Sequence, residues 1–536
     1  MAYTAPIALD PAVPVAAPRR LRVPIASPGL VDRIGAPLTV LALAIGAAIA
    51  ASIWSFQTHS MLIYGDARAH LNVARHVTDG LRPGPTQLGS VWLPMPHILM
   101  VPLTVWRSLW HSGAAGAIVG GACYVYAAVR LFGLVEELTH DRLAAWCGFV
   151  LFAANLNLLY LQTTALTEPV LLAFLVGAAY HVARWMRSLS VRELLWAAVL
   201  TMMATLTRYE GWAFLAAAAV VVLVWGLRFD RRRKSSEANV VLYTVLGGYG
   251  IVLWFLYNLT IFHDALYFLR STYSASVING GQSHFGLLGT KGNVLESALT
   301  YGWDVVDIVG PAVVAAAGVS IVLLLALRHP HRFRTMLVLG LLFAPVAFEV
   351  VSLYAGQTTI RIPQRPPHGM WNDRYGLMAL PLCAVAIATV LTRRRLLGVL
   401  VTGAAAAGLV AATFSTPLAL ADGRHGTSSA TAGRPELAAA YLHRHYSGGE
   451  VLADDSASSA FIFAADLNLK TFVTPGFHPF WERAITTPWR NVRWAVAARG
   501  DAISNDLQRH PDRFARFRLV LTDGTIRLYR RADVPA

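Results

Sequence analysis

Five short polar clusters interrupt an otherwise oily chain: Tyr64-Gly-Asp-Ala-Arg-Ala-His70, Leu166-Thr-Glu-Pro169, Leu206-Thr-Arg-Tyr-Glu-Gly-Trp212, Asp264 to Tyr273, and Asn372-Asp-Arg-Tyr-Gly376. They supply residue types that act on charged groups. The guanidinium groups of Arg68, Arg208, Arg270 and Arg374 are planar and grip phosphate oxygens in two places. The same clusters carry the carboxylates Asp66, Glu168, Glu210 and Asp373, the imidazole of His70 and the phenol of Tyr375. Charged residues beside apolar spans are costly and are kept where they line a cavity or a site. When the chain is threaded through a bilayer all five clusters emerge on one side, which implies a single chamber built from several helix ends.

The elements that hold these clusters are transmembrane helices. Of 536 residues 55% are apolar and only 14% are charged, with a mean hydropathy of +0.49, a composition foreign to soluble globules. The net charge of +15 does not point to nucleic acid, because the basic residues sit in loops between apolar runs and not on one face or tail. Cys123, Cys147 and Cys383 each lie inside an apolar stretch, so neither a disulfide framework nor a CxxC knuckle is implied. Residues 1–35 are Pro- and Ala-rich and read as a disordered cytoplasmic tail. The apolar run 36–56 is long enough to be a retained span. Further spans are expected near 114–135, 143–163, 167–186, 193–206, 212–227, 239–260, 303–327, 335–355, 376–391 and 397–414, about eleven in all. Lys and Arg concentrate in alternate loops, including Arg231 to Lys234 and Arg393 to Arg395. Positive loops stay inside, so the N-terminus is cytoplasmic and the polar clusters face the exterior.

Two of these spans, 193–206 and 212–227, are short for a crossing. Helices meeting at Thr207-Arg-Tyr-Glu-Gly211 would set that cluster slightly below the outer surface, or the segment is an ordinary polar turn. The first outer loop, 57–112, is too long for a simple connection. Gly65 to Gly80 reads as an interfacial helix, followed by Trp92-Leu-Pro-Met-Pro-His97 and a second apolar segment ending in Trp106 and Trp110. Asp66 begins the first of these helices, where a carboxylate also caps free N–H groups. Glu349 lies inside the ninth span near its outer end, either as a functional group or as a cap or arginine partner.

This arrangement resembles the GT-C superfamily of polyprenyl-phosphate-sugar-dependent glycosyltransferases, with the nearest likeness to the protein O-mannosyltransferase and lipid A aminoarabinose transferase group. In topology the resemblance covers residues 36–415, and in motif it covers Asp66 to Arg75. The group's loop reads Asp-Glu-x-Arg-Tyr. Here Asp66 and Arg68 match the acid and the arginine, while Gly65 replaces the first acid and Ala69 the tyrosine, so a second acid would come from Glu168, Glu210, Asp373 or Glu349. The WWDYG pentapeptide of oligosaccharyltransferases is absent. The resemblance implies a hexosyl- or pentosyltransferase of the inner (plasma) membrane that moves a sugar from a polyprenyl-phosphate donor to an exterior glycan, lipid or protein acceptor with inversion. It also implies Asp66 as the base that deprotonates the acceptor, a donor phosphate held by one or two of Arg68, Arg208, Arg270 and Arg374 with the rest as structural partners of Glu210, Asp373 or Glu168, and His70 and His97 assisting or serving as structural histidines. No metal or other cofactor is expected, because Asp66, His70 and His97 do not form a compact ligand pattern.

After residue 415 polar residues return. Val451 to Asp454, Lys470 to Thr474 and Trp494 to Arg499 read as strands, Ser456 to Leu467 as a helix, and Asp523-Gly524 as the turn of a terminal hairpin. Residues 416–536 are therefore expected to be a small extracytoplasmic α/β domain. The rival functions are a lipid-linked glycan transporter or flippase, which would show midplane ionisable residues and related halves, a surface-polysaccharide polymerase or ligase, and a noncatalytic scaffold.

Overall fold

A computed structural model describes residues 37–229, 233–271, 288–326, 332–391, 417–430, 435–475 and 479–533, with scattered positions in 274–280 and 399–408. The tail 1–35, most of the two basic clusters at 231–234 and 393–395, and most of the span expected at 397–414 lie outside the described residues.

Seven described helices are long and apolar enough to cross a membrane: Leu38–Gln57, Ala114–Thr139, Glu168–Ser188, Glu210–Phe229, Lys234–Phe262, Arg332–Tyr354 and Asp373–Val390. The count reaches eight if a bent pair is taken as one span. That pair corrects the expectation of a straight span at 303–327. Val294–Val309 and Pro311–Ala326 meet at 114°, because Gly310 adopts φ +101 and Pro311 offers no N–H to continue the ladder. The run expected at 143–163 is also broken, into Arg142–Ala153 and Leu156–Leu161. Asn155 starts the second piece as its N-cap, accepting from the amide of Leu158 at 2.9 Å. The two breaks serve each other, since the Ile308 carbonyl accepts from the side-chain amides of both Asn155 (3.0 Å) and Asn157 (2.9 Å). Val191–Thr205 is shorter than a crossing helix, as the sequence suggested, whereas the expected short span at 212–227 is corrected: the helix begins at Glu210 and runs to Phe229, 20 residues and long enough to cross.

The C-terminal sheet has the order β2-β1-β3-β5-β4, from strands Phe472–Val473, Val451–Ala453, Trp494–Ala498, Ile526–Arg531 and Phe517–Asp523. The first three run parallel and the last two form an antiparallel hairpin at Asp523-Gly524, where Gly524 takes φ +59. This unit does not stand apart. Its helix Asp455–Ala464 packs on the loop helix Gly65–His76, and Asn72 Nδ2 donates to the Ser459 carbonyl at 3.3 Å. The Phe463 ring stacks on His111 at 5.0 Å, and Asp466 pairs with Arg107 at 2.7 Å. The loop helix is therefore sandwiched, with Ala67, Leu71 and Ala74 fully buried.

Candidate functional site

Five segments that are far apart in sequence bring their charges together at one end of the helix bundle. Asp66 stands in the first turn of the loop helix, but its carboxylate makes no bond to that helix's own N–H groups. It accepts instead from Arg374 Nη2 at 2.5 Å, so the hydrogen bond this carboxylate makes among the described residues is to an arginine and not to a helix amide. Arg374 Nε donates to Glu168 Oε1 at 2.9 Å. The same oxygen accepts from Arg208 Nη1 at 3.2 Å, and Arg208 Nε donates to Glu210 Oε1 at 2.6 Å. Glu349 completes the line, its Oε1 4.0 Å from Arg208 Nη2. The Tyr375 ring lies between the two guanidinium groups, 4.5 Å from Arg208 and 5.1 Å from Arg374.

Local sequence explains why these side chains can converge. In Arg208-Tyr-Glu-Gly211 the glycine lets the helix starting at Glu210 close onto its predecessor, since a Cβ there would fall 2.4 Å from the Ala204 carbonyl oxygen. In Asp373-Arg-Tyr-Gly376 the glycine does the same against Val294–Val309, where a Cβ would meet the Asp304 carbonyl at 2.5 Å. Pro169 occupies the first turn of its helix, where no amide is required, and sets Glu168 at the helix mouth.

Burial grades the network. Glu168 and Arg374 side chains are 1% and 4% exposed, Arg208 is 15%, and Asp66 is 40%. The solvent-facing member is thus the carboxylate. Burial works against the charge of Arg208, yet the Glu210 and Glu168 carboxylates outweigh it and hold the guanidinium firmly protonated. Among the described residues no hydrogen bond reaches Arg374 Nη1 or Arg208 Nη2.

The other nominated residues are placed differently. Arg68 turns away from this face, donating from Nε to the Leu62 carbonyl at 2.7 Å, with Nη1 4.0 Å from Glu436. Arg270 stands apart from the network, exposed and paired with Asp264 at 3.5 Å. Asp373 is buried and folds back on the amide of Trp371 at 3.2 Å. His70 and His97 form a buried pair with ring nitrogens 2.8 Å apart. No group of three or more His, Cys, Asp or Glu side chains among the described residues is arranged to hold a metal ion.

Two participants escaped the sequence reading. The Tyr64 ring lies 5.0 Å from the Arg374 guanidinium, and its hydroxyl donates to the Ala419 carbonyl (2.5 Å), with Asp422 Oδ2 at 3.0 Å. Burial raises the Asp422 carboxyl to about 6, against the pull of Arg374. Tyr64 was legible as an aromatic two residues before the acid. Asp422 was not, because it sits in a segment read only as the start of the C-terminal domain.

Two solved structures are similar to this chain. A crystal structure of the Archaeoglobus fulgidus oligosaccharyltransferase in complex with Zn and sulfate matches at 12% identity, covering 86% of this chain and 68% of that one, with a TM-score of 0.48. The archaeal oligosaccharyltransferase AglB from the same organism, in complex with an inhibitory peptide and a dolichol-phosphate, matches at 12% identity over 86% of this chain and 69% of that one, with a TM-score of 0.47. No family model and no curated protein matches the chain.

Proposed function

We propose that this chain is an integral membrane glycosyltransferase of GT-C type that moves a sugar from a polyprenyl-phosphate donor to an acceptor hydroxyl outside the cytoplasm, with inversion at the anomeric carbon. The observation that carries the reading is the Asp66–Arg374–Glu168–Arg208 line, in which a half-exposed carboxylate is tied to two buried guanidinium groups. The acceptor oxygen forms a bond to the anomeric carbon as the bond to the phosphate oxygen breaks. Asp66 takes the acceptor proton, and the departing phosphate gathers on the unbonded nitrogens of Arg374 and Arg208.

Four carboxylates face two guanidinium groups in the resting line, so the arginines begin as partners of acids. Asp66 is the acid that can let go, because it alone is substantially exposed. Its move from Arg374 to the acceptor hydroxyl frees Nη2 for the anion. In this reading residues 36–415 form the membrane body, residues 1–35 lie in the cytoplasm, and residues 416–536 sit outside and brace the acid-bearing loop within 57–112.

The test compares envelope glycans and glycoproteins by mass spectrometry in cells with the wild-type gene, without it, and with Asp66→Asn. One glycan or glycoprotein should lose a sugar on deletion and stay without it in the variant. A deletion with no glycan change, or an Asp66→Asn variant retaining more than about a tenth of the wild-type transfer rate, sinks the assignment, since a general base contributes about 10²- to 10⁴-fold.

A further inference from the structure

The two histidines fix each other's protons. His97 Nδ1 lies 3.1 Å from the Leu88 carbonyl oxygen, which only accepts, so this nitrogen carries the hydrogen. His97 Nε2 is then the bare nitrogen of a neutral ring, and His70 Nδ1, 2.8 Å away, donates to it. That leaves His70 Nε2 as an acceptor without a proton. Neutrality is secure on both rings, since burial lowers His97 to about 4 and drives His70 well below its ordinary value, with His97, Arg374 and Arg208 adding to the effect.

His70 Nε2 has no hydrogen-bond partner among the described residues, although the residue is only 5% exposed. It is not among the polar atoms sealed completely from solvent. Buried polar groups are normally satisfied, so an open acceptor at this depth marks where a donor from outside is received. His70 stands four residues after Asp66 in the same helix, on the same face and one turn along. The Trp92 ring lies against it, centroids 4.2 Å apart, and is 40% exposed. This part of the loop is held in place: Tyr209 Oη donates to the Val91 carbonyl at 2.9 Å, and the Met95 amide donates to Leu206 at 2.9 Å.

We infer that Trp92 and His70 form a subsite for a neutral sugar ring beside Asp66, in which a C–H face of the ring packs on the indole and a hydroxyl donates to His70 Nε2. An aromatic face with one fixed acceptor suits a ligand that is apolar on its faces and hydroxylated at its rim. A cationic imidazole could not accept that hydrogen bond, and a phosphodiester or fully ionised phosphate offers no hydrogen to donate, so the pair selects the sugar and leaves the anion to the arginines. The inference rests on the glycosyl-transfer reading for its biological meaning but not for its test.

The full-length protein in nanodiscs is mixed with methyl glycosides of mannose, glucose, galactose and arabinose, and saturation-transfer NMR reports which are bound. At least one glycoside should receive saturation. Binding should persist in His70→Gln, whose amide oxygen replaces the acceptor, and should weaken about tenfold or more, about 1.4 kcal/mol, in His70→Ala and Trp92→Ala. Thermal unfolding of each variant separates loss of binding from loss of fold. Wild-type protein that binds none of the four, or undiminished binding in folded His70→Ala and Trp92→Ala, overturns the subsite. If binding follows the prediction while Asp66→Asn leaves cellular glycans intact, the subsite stands and the transfer reading fails. If glycans depend on Asp66 while glycoside binding ignores both subsite residues, the reverse holds.

Discussion

Glu168 is the hinge of the charged line, and removing it has a calculable effect. A single buried oxygen accepts from Arg374 at 2.9 Å and from Arg208 at 3.2 Å. Arg208 keeps a second carboxylate at 2.6 Å. Arg374 keeps only Asp66, which is 40% exposed. Glu168→Leu therefore strands mainly one guanidinium, and breaking a buried pair from one side costs about 3–5 kcal/mol. Arg374→Leu should cost less, because Glu168 retains Arg208. The double variant Glu168→Leu/Arg374→Leu removes both members and leaves no stranded charge between them. Its destabilisation should fall short of the sum of the singles by about 1–3 kcal/mol. Reversible unfolding in mixed micelles with increasing SDS, followed by tryptophan fluorescence and circular dichroism, measures all four corners of the cycle. Additivity within about 0.5 kcal/mol would show that the two groups do not share an ion pair.

Acid sensitivity has a sign that His97 sets. Its folded value near 4 lies below the ordinary 6.5, so between these values the unfolded chain binds more protons and stability falls as pH drops. The ring's share is about 3 kcal/mol, present in full above 6.5 and gone below 4. The stability difference between wild type and His97→Gln should therefore shrink or reverse on acidification from pH 7 to pH 4.5, and a pH-independent difference refutes the assignment. Gly211→Ala drives a methyl group to 2.4 Å from the Ala204 carbonyl oxygen and should destabilise by about 1–3 kcal/mol, checked by the same SDS titration; a neutral outcome would mean that the helices are not so closely apposed. At the contact between the C-terminal unit and the loop, Phe463 is 4% exposed, so Phe463→Ala should cost about 3–5 kcal/mol. Asp466→Ala removes a part-exposed ion pair with Arg107 and a 3.5 Å contact with His111 at a residue held at φ +51, and should cost about 1–2 kcal/mol. Reversal of that order in thermal unfolding would mean that charge, not packing, holds the contact.

The polar clusters were visible because a charged residue in an apolar chain stands out in composition alone. Their partners were not visible, since Asp66 meets Arg374 across 308 positions and nothing in either segment encodes the distance. Arg270 and Arg374 looked alike as loop arginines. Only Arg270 has an acid six positions earlier that answers it locally, which was a usable sign that it belongs elsewhere. Hydropathy windows merged two broken spans into straight ones, although Asn155-Leu-Asn157 and Gly310-Pro311 carried the breaks in plain view. The strands were readable because short apolar runs such as Trp494 to Ala498 and the Asp523-Gly524 turn are local signals. The His70–His97 pair depends on how a 27-residue excursion closes on itself, and Tyr64 on a hydrogen bond to a residue 355 positions away.

The Ile308 carbonyl at the bend holds Asn157. Asn157 Oδ1 accepts from the amide of Ala419 at 2.9 Å, and the carbonyl of that same Ala419 receives the Tyr64 hydroxyl. Tyr64 immediately precedes the helix that carries Asp66. A kink among apolar helices is thus strung to the acid through three residues, Asn157, Ala419 and Tyr64, with Ala419 as the middle bead. A chain ending before Ala419 would keep every residue of the charged line and lose the tether that fixes its first member.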